Sequence, residues 1–543
     1  MKSAEAIAEI LKREGVETLI AYPVNHIIEY AARADIRTVI VRQERIGLHM
    51  ADAMARLSSG KNVGVFCMQH GPGAENAFGG VAQAWGESAP VLVMPMGYAR
   101  RIAHMQPNFN SVLNFQHVTK SAEPVMLTQE IPNIMRRAFT ALRNGRPGPA
   151  LIEVPTDIFG EDFEGELDYT PVISTRSGPD PADVEAAAET LANAERLVIY
   201  AGQGVHYAEA WPQLKQLSEM LAAPVATSLG GKSAFDETHP LSLGAGGRGV
   251  PKALHEFLQK SDVIFGIGCS FTETSFGVGM PKGKTIVHAT LDAADINKDV
   301  IASHALVGDA ALTLDALIPA VEAKLSAARD AAPVAAEIKS IKEPWLAEWA
   351  AKRESDETPL SPYRVLNDLS KTVDMDNTII THDAGSPRDQ LSPFWESTTP
   401  LSYIGWGKTT QLGYGLGLAM GAKLAKPDKL CINVWGDAAI GFTGMDFETA
   451  VRERIPILSI LLNNFSMAIE LHIMQQSTEK YRATDISGDY AAMARAFGGY
   501  GERVTDPDEI IPAIKRGIEQ TEAGVPALLE FITCKETEIS SFK

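Results

Sequence analysis

Asp437 and Asn464 stand 27 residues apart, each closing a short apolar run: Lys429-Leu-Cys-Ile-Asn-Val-Trp-Gly-Asp437 and Pro456-Ile-Leu-Ser-Ile-Leu-Leu-Asn-Asn464. A carboxylate and an amide oxygen are hard ligands, and with the carbonyl of Ser466 they suit magnesium. That ion takes one or two carboxylates and fills its octahedron with phosphate oxygens and water. The pair therefore implies an anion held through a metal, in the manner of a clamp on a diphosphate.

The elements around the pair explain how it is presented. Both runs read as buried parallel strands. Between them, Met445-Asp-Phe-Glu-Thr-Ala-Val-Arg-Glu-Arg454 has helical composition and stops before Pro456. The unit is then β-α-β with a right-handed crossover, which brings both strand ends to one edge. Open α/β sheets bind their ligands at that edge.

Gly436-Asp437-Ala438 followed by Asn463-Asn464 resembles the signature of thiamine diphosphate (ThDP) enzymes, written GDG, about two dozen residues, then NN. Ala438 replaces the last glycine, so a methyl group must fit where backbone amides approach the diphosphate. No ligand is lost by that change. The resemblance implies Asp437, Asn464 and Ser466 as the Mg2+ site, with Gly436, Ala438, Ala439, Met467 and Ala468 beside the cofactor.

Such a cofactor needs a carboxylate on its aminopyrimidine ring, in a dry site, to become a nucleophile. Glu44 is placed for this, at a strand-to-helix junction within Thr38-Val-Ile-Val-Arg-Gln-Glu-Arg-Ile-Gly-Leu-His-Met-Ala-Asp-Ala-Met-Ala-Arg56. The run resembles the family's HE-x3-A-x2-A-x-G-Y-A-R segment, with Gln43 in place of the histidine. Gln69-His-Gly-Pro-Gly-Ala-Glu-Asn76 resembles the SGPGATN turn that nears the cofactor ring, with His70 where serine is common. The family also wedges a bulky apolar side chain between the two rings. Leu412 is the candidate, following Gln411 in Gly405-Trp-Gly-Lys-Thr-Thr-Gln-Leu-Gly-Tyr-Gly-Leu-Gly417, a stretch similar to GTMGFGLP. Glycines 413, 415 and 417 are explained by close backbone approach to a ligand.

Composition fits a large enzyme. The 543 residues, 45% hydrophobic and 22% charged, suffice for three domains with full cores. A net charge of −19 opposes nucleic acid and anionic membranes as partners. Cys67, Cys269, Cys431 and Cys534 lack CxxC spacing and read as reduced core residues. No apolar stretch reaches about 18 residues and no signal peptide precedes Lys2, so a cytoplasmic location is expected.

The expected fold class is α/β, with three doubly wound parallel-sheet domains. An N-terminal pyrimidine-binding (PYR) domain spans 1–165, a central Rossmann-like domain 182–325, and a C-terminal diphosphate-binding (PP) domain 355–543. This order matches the decarboxylase and acetolactate synthase branch of ThDP enzymes. In that branch Glu44 and Asp437 of one site would belong to different chains. A homodimer is the expected minimum, and a homotetramer is the expected assembly.

The central block carries two decoys. Tyr200-Ala-Gly-Gln-Gly-Val-His-Tyr207 begins like a dinucleotide fingerprint, but Tyr207 occupies the place of the third small residue, which disfavours a nicotinamide oxidoreductase. Gly231-Lys-Ser233 ends like a P-loop, yet Ala226 stands where the leading glycine belongs. The run from Gly231 to Gly244 instead resembles GKGAFPEDHPLSLG of acetolactate synthases. Ser270-Phe-Thr-Glu-Thr274 replaces the family's RFDDR segment and argues against retained FAD; ADP or coenzyme A stays open as an occupant.

Reaction type is read from residues near the clamp. Glu470, six residues after Asn464, matches the catalytic glutamate that ends NNDGYTIE in pyruvate and indolepyruvate decarboxylases, and takes the role of proton shuttle. His70 and Gln116 join Glu44 and Glu470 as candidate catalytic groups, Gln116 because Asn114-Phe-Gln-His-Val118 resembles the FQE segment of acetolactate synthases. Asn25, His26, His117 and Ile469 are candidate substrate contacts. Gly385 and Ser386, after the first strand of the third block, are candidate donors to the diphosphate. The reading is a ThDP- and Mg2+-dependent lyase or carboligase acting beside a carbonyl, nearest the 2-oxo acid decarboxylases and acetolactate synthases. A 2-hydroxyacyl-CoA lyase is the alternative; a non-catalytic ThDP-binding paralogue ranks lower because it would be expected to lose Glu44 or Asp437. The substrate is accordingly a small 2-oxo acid or an acyl-CoA.

Overall fold

A computed structural model describes residues 1–542. Three six-stranded sheets, parallel throughout, follow one another along the chain. The first contains β1 (Thr18–Ala21), β2 (Arg37–Ile40), β3 (Gly64–Met68), β4 (Val91–Gly97), β5 (Ala122–Pro124) and β6 (Ala150–Pro155) in the order β2-β1-β3-β4-β6-β5. The second contains β7 (Leu197–Ala201), β8 (Val225–Ser228), β9 (Ser242–Gly246), β10 (Val263–Ile267), β11 (Thr285–Thr290) and β12 (His304–Val307) in the order β12-β11-β10-β7-β8-β9. The third contains β13 (Thr378–His382), β14 (Tyr403–Ile404), β15 (Leu430–Gly436), β16 (Leu458–Asn463), β17 (Tyr500–Val504) and β18 (Ala527–Ile532) in the order β14-β13-β15-β16-β18-β17.

The first and third sheets thus have identical topology, whereas the second has the strand order of dinucleotide-binding folds. All three are the doubly wound α/β sheets expected. Their central strands are continuous apolar runs because helices cover both faces, as β3, β4 and β6 illustrate with every residue buried. Burying each Leu, Ile or Val in such a strand contributes roughly 1.5–3 kcal/mol.

The described chain forms two compact units, and the boundary cuts across the third block. One unit comprises 1–175 together with 413–428 and 442–457. In it, the helix Glu44–Leu57 lies against β3 and against the helix Tyr414–Ala425. Gly417 and Gly421 make that helix pairing possible. A Cβ on Gly417 would fall 2.5 Å from the His49 Cβ, and one on Gly421 would fall 2.2 Å from the Met50 carbonyl. Gly417, expected to approach a ligand, therefore serves helix-to-helix packing instead. Buried Asp52 and Arg56 pair with each other and with the Tyr414 hydroxyl, fixing the register of the two helices.

The second unit holds the rest of the described chain, with the second and third sheets. Here the P-loop decoy is disposed of structurally. Lys232 is 1% exposed, donates at 2.6 Å to Glu237 and at 2.6 Å to the Trp395 carbonyl, and has no free donor face for phosphate.

Two local expectations change. The β15–β16 crossover is not one helix over 445–454: a helix Asp437–Thr443 starts at the candidate ligand, a 3-10 turn covers Gly444–Asp446, and a helix Phe447–Arg452 follows. The 3-10 turn that begins at Gly444 separates the two helices and takes up the first two residues of the expected span. Cys67, Cys269 and Cys431 are buried and in no disulfide, as read, while Cys534 is only half-buried. Among the described residues no helix is long and apolar enough to cross a membrane.

Candidate active site

In the third sheet the strand order reverses between β13 and β15, and the carboxyl edge beside such a reversal is where doubly wound sheets bind ligands. Asp437 follows β15, Gly385 and Ser386 follow β13, and Asn464 follows β16. Topology alone therefore gathers the expected diphosphate and metal residues on one edge.

The candidate ligands Asp437 and Asn464 meet at one backbone group. The peptide N–H of Ser466 donates to Asp437 Oδ2 at 3.1 Å and to Asn464 Oδ1 at 3.0 Å, so both ligand oxygens converge on one point. Asp437 Oδ1 accepts from the Ala438 N–H at 2.9 Å. Burial pushes the Asp437 carboxyl above its ordinary value, and the N–H groups of Ser466 and Ala438 pull it partly back. A divalent cation would supply the charge that burial withholds. The Ser466 hydroxyl is buried with no hydrogen-bond partner. Among the described residues no group of three or more His, Cys, Asp or Glu side chains is placed to hold a metal ion.

Gly385 has φ +84°, and a Cβ there would touch Ile469 Cδ1 at 3.4 Å, so the structure brings Ile469 to the diphosphate side of the edge. Met467, Ala468 and Glu470 continue from the clamp through the 3-10 turn Ala468–His472. Gln411 and Leu412 lie on the turn before the helix Tyr414–Ala425, both partly exposed. The start of that stretch is anchored by Trp406, whose indole donates to the His382 carbonyl at 3.0 Å and stacks on the His382 ring at 5.0 Å.

In the other unit, Glu44 is the first residue of its helix and 4% exposed. Burial raises its carboxyl, and Asn76 opposes the rise by donating its side-chain amide to Oε2 at 3.2 Å. A Cβ on Gly73 would come within 3.3 Å of Oε1, so the glycine of the Gly71-Pro-Gly turn makes room for the carboxylate. A buried carboxyl whose acid form is favoured in this way is suited to giving and taking a proton. Asp446 braces the approach to Glu44 by accepting from the Arg42 N–H at 2.8 Å.

The remaining candidates are more scattered. His70 lies edge-on to Tyr98 with ring centres 4.5 Å apart, and burial lowers its pKa. Gln116 and His117 are exposed at the end of the helix Ser111–Phe115 and meet each other at 3.3 Å. His26 is exposed beside Phe159. Asn25 is committed elsewhere: its amide donates to the carbonyls of Met68 and Met94 at 2.9 and 3.0 Å, and its oxygen accepts from the Ile27 N–H. It ties the end of β3 to the middle of β4 and has no side-chain N–H left for a substrate. In the central domain the Ser270–Thr274 loop is tied inward, with Ser270 on Thr272 and Lys298 on Thr272 and Asp295.

Sequence reasoning passed over Asn76 and Asp446. Asn76 closes the quoted glycine-rich turn, and its place one helical turn beyond Pro72 was the available signal. Asp446 gave none, since its partner lies 404 residues away.

Comparison with known proteins bears on the same segments. Models of the thiamine pyrophosphate enzyme N-terminal TPP binding domain, central domain and C-terminal TPP binding domain match residues 1–120, 184–317 and 383–531. The chain is 31% identical to a probable acetolactate synthase large subunit of Methanocaldococcus jannaschii, over 98% of this chain and 92% of that protein. It is 28% identical to the acetolactate synthase isozyme 3 large subunit of Escherichia coli, over 96% of this chain and 92% of that one.

Proposed function

We propose, from the premise that this chain belongs to the thiamine pyrophosphate (ThDP) enzyme family, that it is a Mg2+-dependent carboligase that decarboxylates a 2-oxo acid and joins the fragment to a second carbonyl compound. The observation that carries the Mg2+ assignment is the convergence of Asp437 and Asn464 on the Ser466 N–H. The reaction class is supported by the relatives named acetolactate synthase large subunit, which align along nearly the whole chain.

When bound, ThDP supplies a nucleophilic carbon and an electron sink for the bond beside a carbonyl. The chain's own groups then divide the remaining work. Asp437, Asn464 and the Ser466 carbonyl hold the metal, and Gly385 and Ser386 offer backbone N–H groups to the diphosphate. Glu44 holds a proton at its carboxyl and exchanges it with the aminopyrimidine ring, helped by its burial and by Asn76. Leu412 presses on the cofactor from its turn. Glu470 moves a proton at the substrate-derived carbon, and Ile469 walls the pocket beside Gly385. The working assembly is a homodimer or a higher homo-oligomer.

The test is a turnover screen of purified protein with ThDP and Mg2+ against pyruvate, longer 2-oxo acids, and formyl-CoA with aldehydes or ketones. ThDP-dependent release of CO2 with formation of a 2-hydroxy ketone product supports the proposal. Formyl-CoA turnover without 2-oxo acid decarboxylation would replace it with the 2-hydroxyacyl-CoA lyase reading.

A further inference from the structure

The loop that carries Asn464 and Ser466 is braced from below by a buried carboxylate outside the clamp. Glu530, in the middle of β18 and 0% exposed, receives four N–H donors. Asn463 donates its side-chain amide to Oε1 at 2.7 Å, Arg503 donates at 3.0 and 3.1 Å, and the Ala491 N–H donates to Oε2 at 3.0 Å. Asn463 is also fully buried, and its oxygen accepts from the Phe465 N–H at 3.0 Å. Phe465 sits in the left-handed region at φ +56°, a conformation that a side chain this bulky adopts only when neighbours impose it. The turn at Phe465 aims the next N–H, that of Ser466, at both Asp437 and Asn464.

A carboxylate can only accept. Glu530 therefore dictates which way the Asn463 amide faces: its nitrogen must point down to Oε1, which leaves its oxygen pointing up to Phe465. We propose that Glu530 is a positioning residue for the Mg2+-diphosphate loop, acting through Asn463 to hold the Phe465 turn; this rests on the ThDP and Mg2+ reading above.

The first sheet provides an internal comparison, since it has the same topology. Glu153 in β6 occupies the place of Glu530 in β18. Gly97 pairs two residues beyond Glu153, as Asn463 pairs two residues beyond Glu530; Pro124 pairs with Glu153 as Arg503 pairs with Glu530. Neither Gly97 nor Pro124 has a side-chain donor, and a Cβ on Gly97 would strike the Glu153 Cγ at 2.9 Å. Burial pushes the Glu153 carboxyl upward, and Ser111, not a neighbouring strand, supplies the hydrogen bonds that oppose the rise. The fold thus tolerates this glutamate without the amide and the guanidinium. Those partners appear in the sheet that carries the clamp, which ties them to the loop rather than to the strand pairing.

The experiment is Mg2+ titration of ThDP binding, followed by intrinsic fluorescence and by calorimetry, in wild type, Glu530→Gln and Asn463→Ala. Partners of metal ligands typically contribute 10- to 100-fold to metal affinity. Glu530→Gln is expected to raise the half-saturating Mg2+ concentration by about that factor, with turnover at saturating Mg2+ and ThDP reduced far less. Asn463→Ala leaves the Glu530–Arg503 pair in place and guards against a folding defect in the first variant. It is expected to show the same rise. Wild-type Mg2+ dependence in either folded variant overturns the positioning role while leaving the ThDP reading intact. Failure of the wild-type protein to bind ThDP in the presence of Mg2+ overturns both, and the two failures are told apart by the wild-type titration alone.

Discussion

Asn76 donates its side-chain amide to Glu44 Oε2 at 3.2 Å, reaching from the first turns of one helix to the first residue of another. Burial raises the Glu44 carboxyl, and this hydrogen bond to the charged form is one of the forces opposing the rise. Asn76→Ala is therefore expected to raise it further and to move the acid limb of the kcat/KM profile to higher pH. An unmoved limb would show that Asn76 does not tune Glu44. Glu44→Gln, by contrast, should retain ThDP binding and lose deuterium exchange at the reactive carbon of the cofactor; normal exchange would remove Glu44 from the proton path.

Asp437 is 4% exposed and accepts from the Ser466 and Ala438 N–H groups. Asp437→Ala should weaken ThDP binding in the presence of Mg2+ by at least tenfold, on the order of the loss of one charged ligand contact. Calorimetry on the folded variant checks this, and unchanged affinity would sink the clamp.

Glu470 is expected to matter after cofactor activation rather than before it. Glu470→Gln should lower kcat by about 10²–10⁴-fold, the usual contribution of a positioned acid or base, while exchange at the reactive carbon stays at the wild-type rate. Wild-type turnover would return Glu470 to an ordinary position on the 3-10 turn.

Asp446 ties a pH dependence to stability. Burial lifts its carboxyl to about 6, the Arg42 N–H and the Thr449 hydroxyl offset part of that, the Arg42 charge opposes it and Glu448 adds to it. Because the folded value lies above the unfolded one, the acid form is the stabilising one. Its contribution is complete below the unfolded value near 3.9 and is lost as pH rises through about 6. Asp446→Asn, which cannot ionise, should unfold at a higher temperature than wild type at pH 8, by a margin that narrows as pH falls through about 6 and closes only as it nears the unfolded value. A difference that does not vary with pH would contradict this.

Much of the architecture was legible because it rests on local patterns. Apolar runs such as Cys431-Ile-Asn-Val-Trp435 can only be strands buried on both faces, and alternation with helices makes the sheets parallel. The crossover after Asp437 was not legible, because composition did not show that helix begins at Asp437 or that a 3-10 turn at Gly444–Asp446 divides it. Gly417 was misjudged for a similar reason: a glycine needed beside a ligand and one needed beside a neighbouring helix look alike until the partner is seen.

The sequence by itself determined the chemistry available, since a carboxylate, an amide and their spacing along two strands constrain what they can ligate wherever the strands lie. It also determined that Glu44 would stand where a strand gives way to a helix. Only the tertiary structure decided what those groups feel. Burial of Glu44 beside Asn76, the shared N–H between Asp437 and Asn464, and the reach of Glu530 through Asn463 to Phe465 all join residues remote in sequence. Desolvation and hydrogen-bond direction depend on those neighbours, and no local pattern encodes them.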